Sequence, residues 1–375
     1  MSSTSTADAV KRPASGPPPT SSRGPAPARE RRAGAALGAA LSPKRIGAVY
    51  VWLVIIAFFA IYKPETFLTG TTVTQILNNS AVTGLAALAL LIPLATRTFD
   101  LSIGFVMSLA GVTTANFVAN GMPVGPAVAL GLGAAALVGV INATVVVVMR
   151  VDSFIGTLAT GSIIASFITM VTNEQDITDI RLTGPFSEIG QTDIGGVTLP
   201  VFYASVVVIV LWVLLEHTTT GRRLYSTGFN PDAAKLASIR VDRLRFLSLI
   251  ASALIAGIAG IALASTLGAG SPSAGQSYLL PAFAAAFLGA TQLRPGRFNA
   301  MGTVIAVLVL TTGTTGLALA LAPAWAADLF TGVVLIAALT LTGAERSRLR
   351  GRASAFSRLR RRATGTSSDT PEATS

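Results

Sequence analysis

Residues 199–216 read LPVFYASVVVIVLWVLLE, and residues 221–239 read GRRLYSTGFNPDAAKLASI. The first stretch has the length and apolar character of a bilayer-crossing helix. The second is a basic island, followed by another apolar run near 245–266. Within it, Asn230 is placed to cap a short helix and Pro231 to open it, where its missing N–H costs nothing. Asp232 falls in the first turn, favourable for the helix dipole, and Lys235 lies one turn on. Two readings stand: a solvated loop with a fortuitous helical turn, or a small helix on which a cytoplasmic subunit docks.

Composition extends the membrane reading to the whole chain. Of 375 residues, 51% are hydrophobic and 12% charged, against about 25% charged in soluble domains. The net charge of +11 does not point to nucleic acid, because aromatics are only 7% and the basic residues flank apolar runs, as membrane orientation requires. The absence of cysteine excludes disulfides and thiolate chemistry. His217 is the single histidine, so a histidine metal cluster or a catalytic triad has no material. There is no phosphate-binding loop, no His-Glu-x-x-His and no Gly-x-Ser-x-Gly with a histidine partner. No catalytic residue, metal ligand or cofactor site is expected, and ATP hydrolysis by this chain itself is not expected.

The expected fold is all-α, a polytopic bundle of about ten spans near 46–62, 78–96, 103–120, 123–149, 154–173, 199–216, 245–266, 277–293, 300–321 and 324–342. With both ends cytoplasmic, the outside holds Lys63 and Arg181 as its only basic residues, which is the positive-inside pattern. The outer loops are acidic instead, with Glu65, Glu174, Asp176, Asp179, Glu188 and Asp193. Residues 1–45 and 344–375 read as disordered basic cytoplasmic tails around a membrane domain at 46–343. Runs such as Gly131 to Ala136 and Ala256 to Gly260 predict close helix packing.

Each half interrupts an apolar run with polar residues. Arg97-Thr98-Phe99-Asp100-Leu101-Ser102 does so in the first, and Gln292-Leu293-Arg294-Pro295-Gly296-Arg297 in the second. Such matched interruptions point to a translocation pathway. Arg97 and Asp100 are spaced to pair on one face if the segment is helical; they are either the inner end of a span or the lining of a solute path. Asn78, Asn79, Asn142, Thr157 and Thr160 are interhelical hydrogen-bonders or ligand contacts.

Four stretches in order resemble the permease subunits of ABC importers of the ribose, xylose and galactose type, whose relatives also carry autoinducer-2. Phe99 to Gly111 resembles that family's Ile-Asp-Leu-Ser-Val-Gly motif. Asn142 with Phe154 to Thr160 is similar to its Asn-Gly and Phe-Ile-Val-Thr-Leu-Gly-Thr segments. Gly221 to Ile239 resembles its Gly-Arg…Asn-x-x-Ala-Ala loop, and Leu288 to Thr303 its Leu-Gly-Gly-Thr…Gly-Thr run. The resemblance implies import of a monosaccharide or similar small polar solute across the bacterial plasma membrane. It implies a cytoplasmic ATP-binding subunit, a second permease copy or paralogue, and an extracytoplasmic solute-binding protein as partners. It also implies a solute path near Arg97, Asp100, Ser102, Gly104, Asn142, Thr157, Thr160 and Thr291. ATPase coupling is implied through Gly228, Asn230, Pro231, Ala233, Ala234, Leu236 and Ile239. Departures are Arg97-Thr98 for Gly-Gly, Ser238 for glycine, and Ala290, Gln292, Arg294, Pro295 and Phe298 in the second run. The alternatives are a secondary transporter, an exporter of the same fold, and a membrane enzyme or assembly subunit; few buried carboxylates count against the first, and the missing catalytic constellation counts against the last.

Overall fold

The computed structural model describes residues 43–294 and 296–341. Both expected tails, apart from the helical backbone at 43–45, and Pro295 lie outside the described residues. The described residues are mostly helical, and among them is one hairpin of two-residue strands, Asp193–Ile194 with Val197–Thr198. In chain order the helices are α1 Pro43–Tyr62, α2 Pro64–Phe67, α3 Gly70–Ala95, α4 Ile103–Ala119 and α5 Val124–Ala143, which continues as a π turn, Thr144–Val148. Then come α6 Ser153–Thr172, α7 Pro185–Gln191, α8 Leu199–His217, α9 Thr219–Phe229, α10 Pro231–Leu236, α11 Val241–Leu267, α12 Leu279–Gly289 and α13 Ala300–Leu319. The last is α14, Ala324–Leu341.

A helix occupies each of the ten apolar stretches, and seven of the helices are long and apolar enough to cross a membrane. They divide by burial. The most apolar windows of α3, α11 and α13 are 67%, 61% and 61% buried, whereas those of α8 and α14 are 22% and 11%. The first three form the centre and the other two its rim. Between Leu85 and Leu91 every residue of α3 is buried, so this helix is apolar on all sides because protein surrounds it.

Small residues set the central spacing. A Cβ on Gly257 would lie 2.7 Å from that of Ala135, and one on Gly139 2.8 Å from Ile250 Cα. Both expected small-residue runs therefore sit where helices approach backbone to backbone, α5 against α11 and α4 against α11.

The stretch expected as a continuous span at 277–293 is built differently. After α11 the chain runs back into the bundle as irregular backbone. Gly270 bridges Ile177, the Gly275 N–H donates to Ser108 Oγ at 3.1 Å, and a 3-10 turn at Ala274–Tyr278 leads into α12. The eleven residues of α12 rise about 16 Å, half of a hydrocarbon core of about 30 Å. Irregular backbone is tolerated at that depth because protein surrounds it and satisfies its polar groups. Successive helices run in opposite directions, so the first break, the end of α5, α9, α10, the start of α11 and the second break gather at one end of the bundle. The 173–198 segment gathers at the other, where Asn78 holds the hairpin through Gly196 O (3.1 Å) and Thr198 N (2.9 Å).

Candidate functional site: two interrupted segments and the helix that spans them

Residues 97–102 are not helical, so the helical pairing of Arg97 with Asp100 does not form. Helix α3 closes in a Schellman motif instead: the Thr98 N–H reaches Pro93 O at 2.9 Å, and Arg97 takes φ 58°, a left-handed position usually held by glycine. The chain then turns inward. Asp100 is fully buried; its Oδ1 accepts from the Ser102 hydroxyl at 2.6 Å and from the Ser102 N–H at 3.1 Å. Asn142, at the end of α5, donates its amide to Ser102 Oγ at 2.7 Å. Helix α6 pins the same segment, with Thr157 Oγ1 accepting from the Leu101 N–H (2.9 Å) and Ser153 Oγ from the Phe99 N–H (3.0 Å). The Ser252 hydroxyl of α11 faces Asp100 across this cluster, and among the described residues Asn142 Oδ1 is buried without a hydrogen-bond partner. Such an orphaned group is costly inside a bundle.

The island folds as two helices. Asn230 accepts from the N–H groups of Asp232 (3.2 Å) and Ala233 (3.1 Å), and Pro231 stands at the first helical position. This is the expected cap, although the helix ends at Leu236. Ser238, at φ 59°, closes it, and the Ile239 N–H reaches back to Ala234 O at 3.0 Å. Ala233 is exposed, Leu236 is 90% exposed, and Ala234 is buried.

Helix α9 precedes α10 and touches both breaks. At Gly228 a Cβ would run into the Ala95 carbonyl, at the start of the first break. One turn earlier, Tyr225 donates its hydroxyl to Phe298 O at 2.5 Å, and the Arg297 guanidinium lies 3.9 Å from the centre of its ring. Burial pushes the Tyr225 phenol up to about 12, with the nearby Arg297 opposing. Glu216, at the end of α8, pairs with Arg294. Gln292 links the second break to α1, accepting from the Ala48 N–H at 3.0 Å.

The structure thus brings Asp100, Ser102, Asn142 and Thr157 into one buried cluster. Arg97 stands outside it, lining a cavity. Gly104 meets backbone: a Cβ there would lie 2.9 Å from Gly275 O. Thr160 bonds Gly156 O on its own helix (2.9 Å), and Thr291 lies in the second break, bonded to Leu288 O (2.7 Å). Sequence reasoning did not single out Ser153, Tyr225, Glu216 or Ser252. A signal existed for Glu216 and Tyr225, since Arg294 and Arg297 beside an apolar run need partners.

Against known proteins, residues 72–339 match the family described as "Branched-chain amino acid transport system / permease component". The ribose import permease protein RbsC of Bacillus subtilis is 30% identical over 298 residues, covering 80% of this chain and 92% of that protein. The fructose import permease protein FrcC of Rhizobium meliloti is 33% identical over 311 residues, 80% of this chain and 85% of that protein. The D-allose transport system permease protein AlsC of Escherichia coli is 28% identical over 298 residues, 79% and 91% respectively. A bundle of apolar helices carrying such matches along most of its length defines a multi-pass transport permease of the bacterial cell membrane, not an enzyme. The chain belongs to the permease-component family that spans residues 72–339.

Proposed function

We propose that this chain is the membrane subunit of an ATP-binding cassette importer that moves a monosaccharide inward. The observation that carries the reading is α10, a capped helix at the basic end of the bundle whose Leu236 is exposed, with no cover among the described residues. An apolar side chain in that position suits a protein partner, and the partner proposed is a cytoplasmic ATP-binding subunit. Closure of two such subunits on a pair of permeases, this chain with a second copy or a paralogue, would move α10. Helix α9 would carry that motion to both breaks. The chain itself holds no cofactor in this reading; ATP is bound by its partner.

On this reading the α9–α10 end faces the cytoplasm, and the bundle crosses ten times with both termini inside. The acidic 173–198 segment then faces outward, where a solute-binding protein would deliver the cargo. Relatives named for ribose, fructose and allose support a neutral polyol. The family's description names branched-chain amino acids instead, which makes leucine the informative competitor.

The test is uptake of radiolabelled ribose, fructose, allose and leucine by cells expressing the chain with a cognate ATPase and binding protein. Wild type should import at least one sugar. Ala233→Arg should import none at an unchanged membrane level, because the charge sits on the exposed face of α10. Leucine uptake without sugar uptake would overturn the substrate class. Normal sugar import by Ala233→Arg would overturn the docking role.

A further inference from the structure

Enclosed by the first break, the π turn of α5, the start of α6, α10 and the start of α11 lies an open cavity of about 430 Å³. Arg97, Arg150, Lys235 and Arg245 line it, against Asp152 and Asp242. The carboxylates do not neutralise them. Among the described residues the ion pairs are Arg181 with Asp179 and Arg294 with Glu216. Asp152 instead caps α6, accepting from the N–H groups of Phe154 (3.0 Å) and Ile155 (3.3 Å). The Nε of Arg245 is buried with no hydrogen-bond partner.

Membrane orientation explains why cations lie at this end of the bundle. It does not explain why four of them, from four separate segments, converge on one hollow. Arg97 and Arg150 both stand at φ 58°, where a side chain is strained and glycine is not.

We propose that this cavity binds a small phosphate-bearing anion. A phosphate group offers about two negative charges and three acceptor oxygens, which guanidinium forks match in pairs. The volume lies in the range of small-ligand sites, roughly 300–1,000 Å³. Because Lys235 belongs to the docking helix and Arg97 to the first break, a bound anion ties the two together. The binding itself does not depend on the transport reading.

The experiment is calorimetric titration of the purified full-length chain in phosphatidylcholine nanodiscs with inorganic phosphate and ribose 5-phosphate. A parallel arm compares thermal melting in phosphatidylcholine nanodiscs with and without phosphatidylglycerol. The comparison variant is the double Arg97→Gly, Arg150→Gly, which keeps the fold because glycine accepts both backbone angles. Wild type should bind, and the double variant should bind at least about tenfold more weakly. Saturation by ribose 5-phosphate in phosphatidylcholine alone assigns the site to a soluble phosphorylated solute. Stabilisation by phosphatidylglycerol in wild type but not in the double variant assigns it to a lipid headgroup. No binding in either arm, or equal binding by the double variant, overturns the proposal.

Discussion

At the residue scale, two departures from the resembling family, Arg97 and Ser238, stand where backbone geometry and side chain disagree. Ser238 occupies a left-handed position (φ 59°) that closes α10 through the Ile239 to Ala234 bond. A non-glycine residue there costs about 1 kcal/mol. Ser238→Gly should therefore stabilise the chain by about that much and raise its melting temperature by roughly 2 °C, read by fluorescence melting of the detergent-purified protein. A fall in melting temperature would mean that the serine hydroxyl contributes more than the strain removes. Neighbouring alanines behave oppositely: Ala233→Arg adds its charge to an exposed face, whereas Ala234→Arg forces one into a site only 4% exposed. The second variant should be found misfolded or degraded, read by membrane abundance, and only the first is a clean probe of docking.

At the scale of the element, α9 links the two breaks. Its Gly228 meets Ala95 because no side chain intervenes, and its Tyr225 meets Phe298 through a hydroxyl and Arg297 through a ring face. Tyr225→Phe removes the hydroxyl and leaves the buried Phe298 carbonyl without that donor, a loss of about 1 kcal/mol. The expected result is a raised ratio of ATP hydrolysed to solute imported in the reconstituted complex, with ATPase co-purification unchanged. An unchanged ratio would reduce α9 to a spacer. The pH dependence follows from the raised phenol. Burial favours the protonated form, so its stability contribution is fully present below the unfolded value of about 10 and is lost as pH rises through about 12. Melting temperatures of wild type and Tyr225→Phe should therefore differ by a constant amount across neutral pH and converge only in strong alkali. The cap and opening of α10 were legible in the sequence because Asn230 and Pro231 act on their immediate neighbours. The Phe298 carbonyl that Tyr225 meets lies 73 residues away, and no local pattern encodes it.

At the scale of the whole molecule, the sequence located the apolar stretches, because span length is a local property. It misjudged the continuity of one. The run at 277–293 is as apolar as a span, yet it opens in the 3-10 turn that follows Gly275, itself packed on Gly104 and Ser108, and leaves the helix again after Gly289, so α12 has only 11 residues. The buried cluster around Asp100 was half legible: the polar break was visible, while its closure by Asn142 and Thr157 depends on how three helices meet. Beyond the seven long helices, the crossing count rests on the shorter α1 and α4 and on whether irregular backbone and α12 together traverse the bilayer. The absence of cysteine makes this testable with single reporters at exposed positions: Thr192→Cys, Thr220→Cys and Thr340→Cys. One helix, α8, separates the first two, so they should label from opposite faces with a membrane-impermeant maleimide. Thr192→Cys should react in intact spheroplasts and Thr220→Cys only in inverted vesicles, as the basic end facing inward requires. Between Thr220 and Thr340 lie α11, the 268–289 segment, α13 and α14. If the discontinuous segment crosses, that makes four passages, and Thr340→Cys must label from the same face as Thr220→Cys. Labelling from the opposite face would mean that the chain turns back within the bilayer after α11, and the positive-inside account of its last third would fail.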